Sequence, residues 1–453
     1  MRYTLCACAL TSFVGVAAGQ QPTRPASTVP PSPMLVVMPE CRVTSAPTTA
    51  NLADTLCVSR PAAIARAVRT NPQLQIAGAQ AQQARARKVE GVALPDPTFS
   101  AEWDNSPYPF GIGGLDGKIV GASITVPFFD KFRLNGRIGA AGIHQSEADS
   151  TVVQQTIAAV TSETYDSLLA ALRHQANLRE ADSLARDFAA KTRIRFDAGT
   201  VAKLDVVNAD VAIGQVGNDI ISNERDIANA RASLNRLMGR ALGAPVAVAD
   251  SFVIPANLPD LTALEASALA RRPELASLQH QQAGARATTS LAKEFWYPDL
   301  SIGIAKDYLA DPTPGYLTTS ISFPIPLLYW NHSKGEIAED RYREQELDAT
   351  LLDAQAAVGQ DVRSAYATAS AARRQAVYLR DLLLPAAREA YAIASASYGL
   401  GGSSALEVNS ARSALLNAES QYTDALAAAS SAWADLERAV AAPLTSFASG
   451  ASQ

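Results

Sequence analysis

Histidine and cysteine are scarce in this sequence, four of each in 453 residues. His144, His174, His280 and His332 stand apart from one another, and none has a partner at metal-ligand spacing, so no metal site is expected. Charged residues make up only 18% of the chain, the formal net charge is −5, and no run of Lys or Arg occurs. A nucleic-acid partner is therefore excluded, since it would need a basic patch. No apolar run is long enough for a membrane-spanning helix beyond the N-terminus. No G-x-S-x-G, H-E-x-x-H or Walker sequence is present, and Gly111-Ile112-Gly113-Gly114 lacks the strand–helix context of a phosphate loop. An enzyme reading has no residues to stand on, and no cofactor is expected. Gly and Pro, 26 and 25 residues, are at ordinary levels, which excludes a collagen-like or wholly disordered chain.

What the chain does have begins with an address. Arg2, an apolar stretch from Tyr3 to Ala18 and the small residues around Gly19 make residues 1–19 a secretory signal. Leu5-Cys6-Ala7-Cys8 resembles a lipoprotein box, but it lies too close to Arg2 unless translation starts upstream. Residues 20–58 form a Pro/Ser/Thr-rich extension of the kind that buries little surface. Cys41 and Cys57 remain after signal removal; a disulfide in an oxidising compartment and two free thiols are both open.

The rest is one unit written twice. Arg69-Thr70-Asn71-Pro72 resembles Arg271-Arg272-Pro273, and Ser123-Ile124-Thr125-Val126-Pro127 matches Ser320-Ile321-Ser322-Phe323-Pro324. Phe196-Asp197-Ala198-Gly199 and Leu204-Asp205-Val206 match Tyr398-Gly399-Leu400-Gly401 and Leu406-Glu407-Val408. The order is kept throughout, at offsets of 197 to 203. The repeats are placed at 59–240 and 263–442, with a Pro-punctuated linker at 241–262 and a tail at 443–453.

Each repeat opens with a helix, expected over 61–93 and 261–294, with Pro61 suited to a first turn. Each closes with a very long helical stretch: 136–196 contains no Pro, and 334–398 contains only Pro385. Sixty helical residues span about 90 Å, far more than a compact domain. Ile213, Val216, Ile220, Ile227, Ala230, Leu234 and Leu237 follow coiled-coil spacing, and Leu415, Ala418, Tyr422, Ala429, Ala432 and Leu436 follow it in the second repeat.

Between these helices, period-two alternation marks strands at about 98–104, 118–127, 299–306 and 316–324. Phe99, Ala101 and Trp103 alternate with Ser100, Glu102 and Asp104; Leu300, Ile302 and Ile304 alternate with Ser301, Gly303 and Ala305. Segments 95–132 and 295–330 hold 15 of the 29 aromatic residues, including Trp103, Tyr108, Phe128, Trp296, Tyr297 and Trp330 near strand ends. This fits a transmembrane barrel with aromatic girdles; a small soluble sheet with an aromatic core is the other reading, but it does not account for a secretory signal together with tube-length helices. Four strands are too few to close a barrel, and an open edge in lipid leaves backbone groups unpaired. The sheet is expected to close with further copies of the chain: 12 strands from three, 8 from two.

Across residues 59–442 the ordered double set resembles the outer-membrane efflux protein family, the TolC-like channels of Gram-negative-type envelopes. The resemblance implies a mainly α fold with a small β part. A homotrimer would share one 12-stranded barrel in outer-membrane lipid and extend a long α-helical coiled-coil tunnel into the periplasm. It further implies a passive exit duct for efflux or secretion, meeting a periplasmic adaptor (membrane fusion protein) and an inner-membrane pump, with a lean toward the resistance–nodulation–division type. By resemblance, Asp205, Glu407 and Tyr398 belong to the pore entrance or gate, and Gly199, Thr200, Gly401 and Gly402 to turns that contact the adaptor. Ser410 stands where the family often has an acid. The residues alone also allow a plain reading, in which the glycines end helices and the carboxylates complement helix N-termini. The long helices alone also fit a periplasmic coiled-coil scaffold or adaptor without a pore. The transported substrate is not legible in the sequence.

Overall fold

The computed structural model describes residues 56–103, 117–254, 257–309, 315–325, 327, 333–444 and 447. The signal at 1–19, nearly all of the extension, the loop carrying Tyr108, and Trp330 and His332 lie outside these. Cys57 is disulfide-bonded, and the other three cysteines also lie outside the described residues.

The first repeat runs β1 (Leu56–Val58), α1 (Arg60–Thr70), α2 (Pro72–Gly91), β2 (Thr98–Trp103), β3 (Gly117–Val126), α3 (Phe129–Asp197) and α4 (Lys203–Leu237). After β4 (Val246–Val248), the second runs α5 (Leu261–Arg271), α6 (Pro273–Lys293), β5 (Leu300–Leu309), β6 (Leu317–Ser322), α7 (Ser333–Tyr378), α8 (Leu384–Gly399) and α9 (Ala405–Val440).

The opening helix of each repeat is two helices, not the single one the spacing predicts. Proline disfavours helical dihedrals in the residue before it. Asn71 and Arg272 accordingly sit at φ −70°, ψ 128° and φ −64°, ψ 121°. Asn71 then caps α2, its side chain accepting the Gln73 N–H. Pro385 acts differently. It lacks the N–H for the i−4 bond, and one π-helical turn at Leu379–Leu383 absorbs the fault, so that α7 continues into α8. In the first repeat α3 has no such break and its 69 residues extend about 100 Å.

The coiled-coil seam holds at Val216, Ile227, Ala230, Leu234 and Leu237. Ile213 and Ile220 are only half-buried, and Ala209, Ala212 and Asn223 are buried beside the seam instead. The Asn223 amide donates to the Ala171 carbonyl (3.0 Å).

The extension and linker contribute strands that the sequence reading leaves out. β1 and β4 pair in parallel, and both pack on α3 and α4 around Tyr165, Leu168, Leu234 and Met238. The buried Tyr165 hydroxyl lies 3.1 Å from the Val58 carbonyl and 3.0 Å from the Asp250 carboxylate. That carboxylate accepts the Arg60 N–H (2.6 Å), and the Arg60 guanidinium pairs with Asp166. A second cluster joins Leu264, Val362, Leu426 and Leu436 with Leu444 of the tail, which is fully buried.

Tyr165→Phe removes the hydroxyl that joins the β1 carbonyl to Asp250 and is expected to cost about 1–2 kcal/mol. Chemical denaturation of the purified protein checks this; adding Tyr165→Phe to Asp250→Ala should cost less than Tyr165→Phe alone, since only the contact to the Val58 carbonyl is then left to lose.

Candidate functional site

The four-stranded sheet has the order β2-β3-β5-β6, antiparallel throughout. The longest ladder, ten residue pairs from Gly117↔Leu309 to Val126↔Leu300, joins the two repeats to each other. Every strand end that connects to a helix lies at the same end of the sheet, because Thr98↔Ser123, Val126↔Leu300 and Ser301↔Ser322 are neighbours.

The register places Phe99, Val120, Ala122, Ile124, Ile302, Ile304 and Ile321 on one face. On that face Phe99 is 82% and Ile321 71% exposed. The opposite face carries Thr98, Ser100, Gly121, Ser123, Gly303 and Ser320. Thr98 and Thr125 each meet a serine hydroxyl across the strands at 2.8 Å. A Cβ on Gly303 would lie 2.7 Å from Ser320 Oγ. The sheet therefore has one apolar and one polar face, and both are open in the single chain. At its helix end Phe128 stacks on Tyr297 (4.7 Å), and Asp299 accepts from the Phe128 N–H (3.1 Å) and pairs with Lys131 (2.7 Å).

Far from the sheet, the long helices turn back at two tips. After α3, Gly199 adopts φ +71°, which glycine tolerates. The Thr200 N–H donates to the Arg195 carbonyl (2.9 Å) and the Gly199 N–H to the Phe196 carbonyl (2.8 Å), closing the helix end. After α8, Gly401 at φ +86° repeats the turn, with Gly402 N–H donating to Ser397 (2.9 Å). Gly199, Thr200, Gly401 and Gly402 are all exposed. So are Leu204, Leu400 and Leu406, with Leu400 at 91%.

Asp205 and Glu407 are the third residues of α4 and α9. The Glu407 carboxylate accepts the Ser404 N–H (2.9 Å) while the Ser404 hydroxyl accepts the Glu407 N–H (3.2 Å), a complete capping box. Asp205 accepts the Ala202 N–H (3.3 Å), but Ala202 has no hydroxyl to return the bond. Tyr398 lies inside the protomer, 1% exposed. Its hydroxyl donates to Thr192 Oγ1 (3.1 Å), its ring packs on Phe188 (5.2 Å), and the Arg195 guanidinium lies 4.5 Å over it. Arg195 also donates to the Tyr398 carbonyl (2.7 Å), so it ties the two tips together. Sequence reasoning missed Phe188, Thr192 and Arg195, although their spacing of four and three puts them on one helix face.

The fold also brings together histidines that are distant in sequence. The rings of His144 and His280 are 5.2 Å apart, and His174 Nε2 is 2.8 Å from Asp424. Among the described residues, no group of three His, Cys, Asp or Glu is placed to hold a metal.

The family described as "Outer membrane efflux protein" matches residues 63–240 and 264–442, one match per repeat. No curated protein matches the sequence. Among solved structures, the CmeC outer membrane channel of Campylobacter jejuni is similar at a TM-score of 0.72 and 16% identity, covering 84% of this chain and 85% of that one. VceC, an outer membrane protein of Vibrio cholerae, gives 0.68 and 17%, covering 85% and 96%. The open state of the MtrE outer membrane channel of Neisseria gonorrhoeae gives 0.64 and 19%, covering 84% and 88%.

Ala202→Ser completes the capping box of α4 and is expected to add about 0.5–1 kcal/mol, whereas Ser404→Ala should remove about 1 kcal/mol from α9. Amide hydrogen exchange in the first turn of each helix checks both: slower in the first variant, faster in the second.

Proposed function

This chain belongs to the outer membrane efflux protein family, and on that premise we propose that three copies build one passive exit duct through the outer membrane. Each copy gives four strands to a 12-stranded barrel and its long helices to a tunnel in the periplasm. The observation that carries the reading is the sheet. One of its faces is a broad apolar surface left exposed, its edges β2 and β6 pair with nothing else among the described residues, and all helices leave from one end. A scaffold standing in water gives no reason for Phe99, Ile302 and Ile321 to face outward.

The tips are the tunnel entrance and its docking surface. Exposed Leu204, Leu400 and Leu406 around the glycine turns form apolar points for a periplasmic adaptor. That adaptor links the duct to an inner-membrane pump, which supplies the energy and selects the cargo. Asp205 and Glu407 each become a ring of three, which favours cations. Tyr398, enclosed between Phe188 and Arg195, acts as the pin that sets how the two tips sit together, not as a pore-lining group.

Expression in a Gram-negative host, outer-membrane isolation and cross-linking should give a band near three times the mature mass. A soluble periplasmic monomer would remove the duct reading and leave the scaffold. Ile302→Arg should abolish that assembly, since a cation facing lipid near mid-membrane costs about 2–4 kcal/mol per copy; a variant that still assembles in the membrane would place this face away from lipid. Glu407→Gln with Asp205→Asn keeps acceptors for both caps while removing the charge. Single-channel recording should show reduced cation selectivity; unchanged selectivity would return both residues to plain capping.

A further inference from the structure

The duplication gives an internal standard for each polar contact near the tips, and one position fails it. In the first repeat Arg193 of α3 pairs with Asp210 of α4 (3.0 Å) on the surface. At the offset of 202 that relates the two tips, the equivalents are Ser395 and Arg412. The acid has become a cation and the cation a serine. Arg412 is also drawn inward, only 4% exposed. One of its nitrogens donates to Asn409 Oδ1 on its own helix (2.8 Å), and Nε and Nη1 have no partner. Among the described residues no ion pair reaches it, and burial pulls its pKa down more than the Tyr391 hydroxyl raises it. Other buried charges are answered: Arg272 by Glu274 and Asp361, and Glu419, seven residues further along α9, by Arg388.

A buried cation without an anion opposes the packing that encloses it. Arg412 stands between two apolar clusters that hold α8 and α9 against α3. One contains Phe188, Ala209, Tyr398 and Val408; the other contains Leu384, Leu415 and half-buried Leu184. Moving α9 away from its neighbours would let water reach the guanidinium and would part those clusters.

We propose that Arg412 is a positioning residue for the entrance: an uncompensated charge in the second coiled coil that biases the tip toward parting, against the apolar pins around Tyr398. This rests on the reading of the tips as the entrance of a duct.

Two substitutions test it in the full-length trimer. Arg412→Met removes the charge and keeps much of the volume. Asn409→Asp supplies the missing anion at the atom that already accepts from Arg412. Each alone should raise the melting midpoint by about 2–4 °C, and Asn409→Asp should lower it when Arg412 is already Met. In planar bilayers each single variant should pass time-averaged current lower by about threefold or more, because a state made less strained is more populated. A lower midpoint in Arg412→Met means that the assembled protein does answer the charge, and overturns the proposal. A higher midpoint with unchanged current overturns the role at the entrance. A wild-type trimer that carries no current overturns the duct reading and the entrance role together, while the melting pattern still judges the unpaired charge by itself.

Discussion

In hydrocarbon a backbone N–H or C=O has no water to turn to, and this constraint shapes the rest of the molecule. Four strands with an outward apolar face cannot be finished by the chain that makes them. The duplication goes only part of the way. Each repeat supplies one hairpin, and the ten-pair ladder between β3 and β5 joins the hairpins, leaving the six-residue β2 and β6 as edges. The strand that begins and the strand that ends each hairpin meet their helices at one end of the sheet. The proposed closure between copies would therefore also gather every long helix on one side of the membrane.

Helices of this length cannot share one compact core. Burial is distributed along them in separate clusters, at the β1/β4 pair, at the end of α9 and at the tips. Alanine supplies much of the buried surface, at Ala209, Ala212, Ala230, Ala418, Ala429 and Ala432. Each contributes less apolar area than Leu would, but lets neighbouring helices approach closely, as the wall of a tube requires. The two repeats reach the same geometry differently: α3 is unbroken, while α7 and α8 are joined through a π turn that accommodates Pro385.

The strands, the duplicated tips and the length of the helices were legible because each depends on a period or a local residue type. Alternation placed Phe99 and Ile302 on one face without any knowledge of their partners, and glycine marked both turns. The breaks at Pro72 and Pro273 were legible in principle, since the rule acts on a single neighbour. The β1–β4 pair was not: three-residue strands about 190 positions apart carry no periodic signal, and only packing on α3 decides that they pair. Tyr398 was legible as an aromatic at a tip, but its burial depends on Thr192 and Arg195, two hundred residues earlier. Arg412 was missed because seam arithmetic counts apolar positions and passes over a cation that occupies one.

The same contrast separates the rigid from the movable parts. Near β1 and β4 each buried charge has an opposite charge beside it, as Arg60 has Asp166, and Tyr165 closes the network onto the backbone. Such a region loses several contacts at once if it shifts. At the tips the stabilising contacts are local: helix-ending turns, a capping box and one aromatic pin. Here α8 is tied to α3 through Tyr398, and α9 packs on it through a few apolar side chains such as Val408. A duct must stay sealed where it passes from membrane to tunnel, yet admit cargo at its far end. In the proposed duct, paired charges around the extension and linker, and sparse apolar pins opposed by Arg412 at the tips, would divide those two demands along the length of the same helices.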